Sequence, residues 1–441
     1  MAQSQSMDLR ALLASALSRE VVERLARETG VLRRRRKVEP MAWLWTLVLG
    51  FGTGRVRSLA GLRRSYQRAS GESLVPSAYY DRFSTATVRF LRAVVRELCA
   101  GFVAREGRLG GVLAGFRDVV VADATLIKLH RLLAGRYPGT RTNSAPASAK
   151  LHVVMSVGGA GAQSVRLTDG RASDHQVLRI GRWVRDRLLM FDLGFFRYQL
   201  FDCIDRNGGF FPTRLPNSAN PRIVEVHRVW RGQSIQLVGE RLGDVVGRLR
   251  RAVLDAAVEV EFQRRGYRGT RRTARRRLRL IGVRHPASGE YRFYLTNITP
   301  EQLDAESLAQ AYACRWQVEL LFRELKSHYR LTELPSRKAH VVETLLLAAV
   351  ITLLVSRRLL DAVRRRLRQR PHQVPEERWA AVFASFARDL LDLVLLPARR
   401  AAPFGRQLSR LLLHEAADPN LSRVLLIERV ETGCAWGESC A

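Results

Sequence analysis

Acidic side chains are scarce in this chain. Only 41 Asp and Glu stand against 74 Lys and Arg, giving a formal net charge of +33 over 441 residues. Such an imbalance favours a polyanionic partner, nucleic acid above all, because the basic residues are spread along the chain rather than gathered in a tail. High-GC coding inflates arginine but does not explain missing acids. Cysteine is also sparse: Cys99, Cys203, Cys314, Cys434 and Cys440 are irregularly spaced and form no CxxC pair. That argues against a disulfide framework or a zinc site and suits a reducing cytoplasm. The segment MAQSQSMDLR lacks the basic-then-apolar pattern of a secretory leader. Long apolar runs are missing too. MAWLWTLVLGF from Met41 and TLLLAAVITLLV from Thr344 fall short of a membrane span and predict buried helices, so no membrane partner is expected. No internal repeat is present, and GFGTG at Gly50 lacks the strand and spacing of a dinucleotide loop.

What is present is a large apolar fraction, 46%, enough for an extensive core in a chain too long for one ordinary domain. Residues 1–110 predict an α-helical domain: apolar residues recur at helical spacing, interrupted by RRRRK at Arg33–Lys37. Short Arg-rich helices suit DNA binding, though no recognition helix stands out. At about Arg117 the period changes. RDVVVADAT predicts a buried strand ending in Asp123, and KLHVVMSVGG and AQSVRLTDG predict two more strands. ASDHQVLRIGRWVRDR predicts a helix capped by Ser173, and LLMFDLGFF a strand ending in Asp192. A helix, a glycine turn and a short strand then lead to Arg214. These elements form an α/β core over 111–215. Residues 216–299 predict a β-rich insertion with a basic patch, RRGYRGTRRTARRRLR. That many arginines with few acids should repel unless something neutralises them. The core resumes over 300–360, with a helix starting near Thr299, and 361–441 predicts a helical C-terminal region. Trp183 and Trp230 are expected to pack in the core, with stacking on an unpaired base as the alternative role.

The most informative stretch is AYACRWQVELLFRELKSHYRL, Ala311–Leu331. On a helical wheel Tyr312 and Lys326 fall within about 20° of Glu319, and Arg315 within about 40°. Val318, Leu321 and Leu325 lie about 100° or more away, with Phe322 at the border about 60° off. One face thus sets a carboxylate among cations suited to phosphate. Asp123, Asp192 and Glu319 are the acids that stand out by position. A few carboxylates together with substrate phosphate are what Mg²⁺ binds, and a pair of ions about 4 Å apart can drive in-line phosphoryl transfer. Arg315 and Lys326 would hold the DNA backbone beside them.

The spacing Tyr312-x2-Arg315-x3-Glu319-x6-Lys326 resembles the Tyr-Arg-Glu-Lys signature of bacterial DDE transposases of the insertion-sequence 4 family. The resemblance covers about 117–360 and includes RWQVE and Phe322, with KLH at Lys150 and LTDGRASD near Thr168 also similar to family positions. It implies an RNase H-like core interrupted by a β-rich insertion, flanked by an α-helical N-terminal domain and a helical C-terminal tail. It also implies Asp123, Asp192 and Glu319 as catalytic metal ligands for Mg²⁺, with Mn²⁺ able to substitute. Tyr312, Arg315 and Lys326 would contact DNA, joined by Arg214, which is similar to a common family arginine. The implied activity is metal-dependent cleavage at element ends and strand transfer into target DNA. The partners would be double-stranded DNA and a second copy of the chain in the DNA complex, in a bacterial cytoplasm at the nucleoid. The rival readings are an RNase H-like nuclease that cuts without joining, and an inactive remnant that only binds DNA.

Overall fold

The computed structural model describes residues 7–32, 38–103, 109–140, 145–157, 159, 161–228, 236–265, 271–367 and 374–419. The Arg33–Lys37 run, Trp230, residues 266–270 of the basic stretch, Cys434 and Cys440 lie outside them. The architecture is mixed α/β, with helices at both ends around two sheets.

Helices α1 (Leu9–Ala16), α2 (Arg19–Glu28), α3 (Pro40–Thr46), α4 (Leu59–Ser70), α5 (Pro76–Tyr80) and α6 (Thr85–Val103) form the first part. Asp8, Ser18, Glu39 and Ser58 cap α1, α2, α3 and α4 by accepting backbone N–H groups, as small polar and acidic residues do at helix starts. The greasy run from Met41 is buried throughout, as its composition predicts.

The first sheet has the order β3-β2-β1-β4, with β1 Asp118–Lys128, β2 Ser148–Ser156, β3 Gly161–Asp169 and β4 Arg187–Phe191. β1 runs antiparallel to β2 and parallel to β4. Parallel neighbours need a crossover, supplied by β2, β3 and the segment after them. That segment is not the long helix expected from Ser173. Only α7 (Asp174–Val177) forms, and a tight turn at Arg182–Val184 follows Gly181. The helix stops where Leu178 takes extended backbone, and the Ser173 hydroxyl lies against the His175 ring rather than on the helix N–H groups. Alternation along the strands divides two cores. Val119, Val121, Leu188 and Met190 enter the larger one, and Ala122, Leu189 and Phe191 the smaller.

The second sheet, β5-β9-β8-β7-β6, follows α8 (Tyr198–Arg206). It comprises β5 (Pro212–Arg214), β6 (Arg222–Val226), β7 (Val253–Arg265), β8 (Arg271–Arg284) and β9 (Tyr291–Thr296), with α9 (Leu242–Val245) between β6 and β7. Four arginines of β8 are ion-paired rather than left as an unneutralised patch. Arg275 pairs with Glu261 at 3.1 Å, Arg276 with Asp202 at 2.6 Å, Arg277 with Glu225, and Arg279 with Asp255 at 2.6 Å. The acids come from β7, α8 and β6, so a local reading of the Arg-rich segment misses them.

Helix α10 (Ala305–Ala311) starts at Asp304, whose Oδ1 accepts the Ser307 N–H at 2.8 Å. Thr299 heads a turn instead, its carbonyl accepting from Gln302 and Leu303. The Ala311–Leu331 stretch is not one uniform helix. A tight 3-10 turn at Tyr312–Arg315 precedes α11 (Trp316–Arg323), and a wide π turn occupies Glu324–His328. Helix α12 (Ala339–Arg366) is followed by α13 (Glu376–Ser385), α14 (Ala387–Leu395) and α15 (Ala398–Ala416).

Helix α12 extends the Thr344 run on both sides and crosses residue 360. It is the one described helix long and apolar enough to cross a membrane, but 89% of its apolar window is buried inside the fold. Close packing around it depends on small residues. A Cβ at Gly52 would sit 1.7 Å from Thr352 Oγ1 and one at Gly101 1.7 Å from Arg358 Nη2. Gly52→Ala is therefore expected to cost about 1–3 kcal/mol through overpacking, read as a lower thermal midpoint.

Candidate active site

The sheet register sets the first two acids. Ala122 of β1 lies opposite Phe191 of β4, so the next residues in each chain segment, Asp123 and Asp192, emerge beside each other at the end of the parallel ladder. Asp123 is half-buried and its Oδ1 accepts the Ala124 N–H at 2.7 Å. Asp192 is exposed, and its carbonyl starts the turn that follows β4 by accepting the Phe195 N–H.

The third acid arrives on α11. Apolar residues Val318, Leu321 and Phe322 are buried, which leaves the intervening Glu319 on the open side, half-buried. Its Oε1 accepts from Arg315 Nη1 at 2.7 Å. Tyr312 ties this helix to the sheet: its hydroxyl donates to the Phe191 carbonyl at 3.1 Å, immediately before Asp192. The ring is buried, edge-on to Tyr294 with centroids 5.4 Å apart. Burial pushes the Tyr312 phenol up to about 12, opposed by Arg315 and Arg214 and reinforced by Asp192. Tyr312 is thus held by a backbone oxygen rather than offered to solvent.

Electrostatics show which groups have come together. Burial chiefly lifts the Asp123 carboxyl to about 6; the Ala124 N–H and Arg315 oppose the rise, and Asp192 and Glu319 add to it. All three acids and Arg315 therefore share one field. Burial disfavours the Arg315 charge, but the Glu319 hydrogen bond, Tyr312 and the nearby acids outweigh it and raise its pKa. Lys326 sits exposed in the wide turn, with its pKa held down by partial desolvation. Arg214 is exposed at the end of β5 and acts on the Tyr312 phenol.

The donor set suits a hard divalent ion: three carboxylates, no thiolate, and a raised Asp123 pKa that a cation would relieve. The three do not yet form a closed ligand cage, since no group of three His, Cys, Asp or Glu among the described residues is close enough to hold a metal as placed. The Arg315–Glu319 pair accounts for part of this, because Glu319 is already neutralised. A prediction follows for the metal-free protein. A folded-state pKa raised above the unfolded 3.8 makes folding less favourable as pH rises from about 4 to about 6. Asp123→Asn escapes that penalty and should stabilise by about 2 kcal/mol at pH 7, allowing for screening of a half-buried group. The gain should vanish below pH about 4, measured by urea unfolding across pH in chelator.

Residues that the sequence reading named only as family positions also meet here. Lys150 and His152 alternate on β2 and both reach Asp174, at 3.2 Å each, while His152 Nε2 lies 2.9 Å from Thr168 Oγ1. Burial opposes ionisation of Asp174, yet His152 and Lys150 prevail and lower its pKa. A cavity of ≈ 410 Å³ lies over this cluster, with Asp123, Arg166, Phe195 and the half-buried Trp183 also in its wall. The period-two Lys150-x-His152 pattern on a predicted strand was the available signal.

An α/β body with one acid inside a central strand, one just past the end of its parallel neighbour and one on a facing helix suits one class of protein, an enzyme of metal-assisted phosphoryl transfer. The Transposase DDE domain profile matches residues 114–355, and the chain belongs to that family. Its activity is accordingly DNA transposition, with cleavage and strand transfer, and enzymes of this family generally use divalent metal ions. The chain is similar to the transposase for insertion sequence element IS231F of Bacillus thuringiensis subsp. israelensis, 21% identical over 80% of this chain and 79% of the relative. It is also similar to the transposase for insertion sequence element IS1151 of Clostridium perfringens, 18% identical over 76% of each. Among solved structures, a piggyBac transposase synaptic complex with hairpin DNA aligns with 96% of this chain and 88% of its own at a TM-score of 0.48 and 11% identity. That likeness is weak, and the family assignment stands without it.

Proposed function

We propose that Asp123, Asp192 and Glu319 are the catalytic carboxylates and hold Mg²⁺, with Mn²⁺ able to replace it. The observation that carries this is the β1–β4 register, which sets Asp123 beside Asp192, together with the Tyr312–Phe191 bond that holds the Glu319 helix against the same place on the sheet. Bound divalent ions would supply activation of the attacking hydroxyl and stabilisation of the leaving oxygen. The chain's own groups do the rest. Tyr312, bonded to the Phe191 carbonyl, sets the helix against the strand that delivers Asp192. Arg315 neutralises Glu319 in the free protein and is placed to turn to a DNA phosphate, for which its planar fork is suited. Lys326 and Arg214, both exposed, are assigned further backbone contacts.

The β3-β2-β1-β4 order, antiparallel except for the parallel β1–β4 pair, supports an RNase H-like core, and the strands of 212–296 support a β-rich insertion before Glu319. The substrate is double-stranded DNA at element ends and target, bound by a homodimer, in the bacterial cytoplasm at the nucleoid. The test is strand transfer: pre-cut ends, target DNA and Mg²⁺ should yield joined product with the native chain and none with Asp123→Asn or Asp192→Asn. Joining by either variant would remove that residue from the centre, and cutting without joining by the native chain would favour a nuclease. Arg315→Gln should weaken DNA binding across sequences and lower the slope of log affinity against log salt by about 1, read by titration at several salt concentrations.

A further inference from the structure

Just past the end of α11, at the start of the wide turn, stands a second glutamate with a different environment. Glu324 is buried, 3% exposed. Its Oε2 accepts from Arg357 Nη2 of α12 at 2.6 Å and its Oε1 accepts from the Tyr329 hydroxyl at 2.8 Å. Tyr329, fully buried, lies 2.9 Å from Ser356 Oγ, which also receives the Trp379 indole N–H at 2.9 Å. Glu376 of α13, paired with Arg364 at 2.8 Å, lies 3.8 Å from Arg357 and balances the charge. Two carboxylates and two guanidiniums thus form a buried network joining the end of the signature helix to α12 and α13.

Such a network is weak evidence for stability, because desolvating four charges offsets most of their attraction. What it does supply is a fixed rotation. Glu324 follows Glu319 by five residues, about 140° around the helix, so it points away from the open side. Anchoring it inside aims Glu319 out. The wide turn begins at Glu324, where the Tyr329 N–H reaches the Glu324 carbonyl at 3.1 Å. The residue that anchors the helix therefore also opens the turn carrying Lys326.

We propose that Glu324 is a positioning residue, which through Arg357 and Tyr329 sets the rotation of the helix so that Glu319 meets the field of Asp123 and Asp192. This rests on the reading of Glu319 as a metal ligand. The test compares the native chain with Glu324→Gln, Tyr329→Phe, the double variant Glu324→Met with Arg357→Met, and Glu319→Gln. The readouts are nicking rate on end DNA, the Mn²⁺ concentration for half-maximal rate, end-DNA affinity and thermal midpoint. Glu324→Gln should lower the nicking rate roughly 10- to 100-fold and raise the Mn²⁺ requirement, with DNA affinity unchanged. Tyr329→Phe should move the same way by less, and it carries the test if Glu324→Gln fails to fold. The double variant should recover the thermal midpoint but not the metal response. Native metal response in Glu324→Gln or Tyr329→Phe beside an inactive Glu319→Gln would overturn the positioning role, as would recovery of both stability and rate in the double variant. Full nicking by Glu319→Gln would instead remove the reading on which the proposal rests.

Discussion

Glu319→Gln is expected to lose metal-dependent cleavage by at least about 10³-fold while still binding element ends. The substitution keeps side-chain size and the hydrogen-bond acceptor that faces Arg315, now at 2.7 Å from Glu319. It removes only the negative charge. End binding relies on phosphate contacts spread over a chain of net charge +33, so losing one acid should leave it intact or slightly stronger. A nicking assay on labelled ends, with a gel-shift measurement on the same preparation, separates the two quantities. Equal loss of both would point to damage to the fold rather than to the centre.

The largest expected effect on stability lies elsewhere, at Arg279. Its side chain is 4% exposed and its two nitrogens grip Asp255 at 2.8 and 2.6 Å. The remaining Nη1 donates to the Leu303 carbonyl at 2.7 Å, just before the cap of α10. Arg279→Met would leave Asp255 buried without its bidentate partner and the Leu303 carbonyl short of a donor, a loss of about 3–5 kcal/mol. The thermal midpoint should drop, and amide exchange should accelerate across 298–304, where the second sheet meets the helix that leads to Glu319. The double variant with Asp255→Leu should recover much of the loss, since the cost comes from the stranded charge. An unchanged midpoint in Arg279→Met would show that water reaches this pair.

Much of the site was legible because its parts are local patterns. An apolar run leading to an acid can be read without a fold, and VVVADAT and LLMF do form β1 and β4, but β1 does not end at Asp123 as expected: its pairing with β2 carries it on to Lys128, while Asp192 lies just beyond β4. The buried Val318, Leu321 and Phe322 follow from helical spacing. What was not legible depends on partners distant in sequence. The arginines of β8 looked unneutralised because Asp202, Glu225 and Asp255 lie 24 to 74 residues away. A uniform wheel for Ala311–Leu331 fails because the stretch passes from a 3-10 turn to an α-helix and then to a wide turn that opens at Glu324, and nothing local announces that Arg357, 33 residues on, anchors Glu324 inside. The Tyr312 hydroxyl, read as a DNA contact, has a backbone acceptor 121 residues earlier in the chain. The β1–β4 register, which sets Asp123 beside Asp192, is a property of pairing and cannot be read from either strand alone.

The account stands on three carboxylates meeting at divalent ions against DNA. The most direct measurement is anomalous diffraction from crystals of the chain bound to end DNA in Mn²⁺. Manganese peaks coordinated by Asp123, Asp192 and Glu319, with Glu319 released from Arg315, are the predicted result. Manganese bound elsewhere, with these three side chains still apart in the DNA complex, would contradict it.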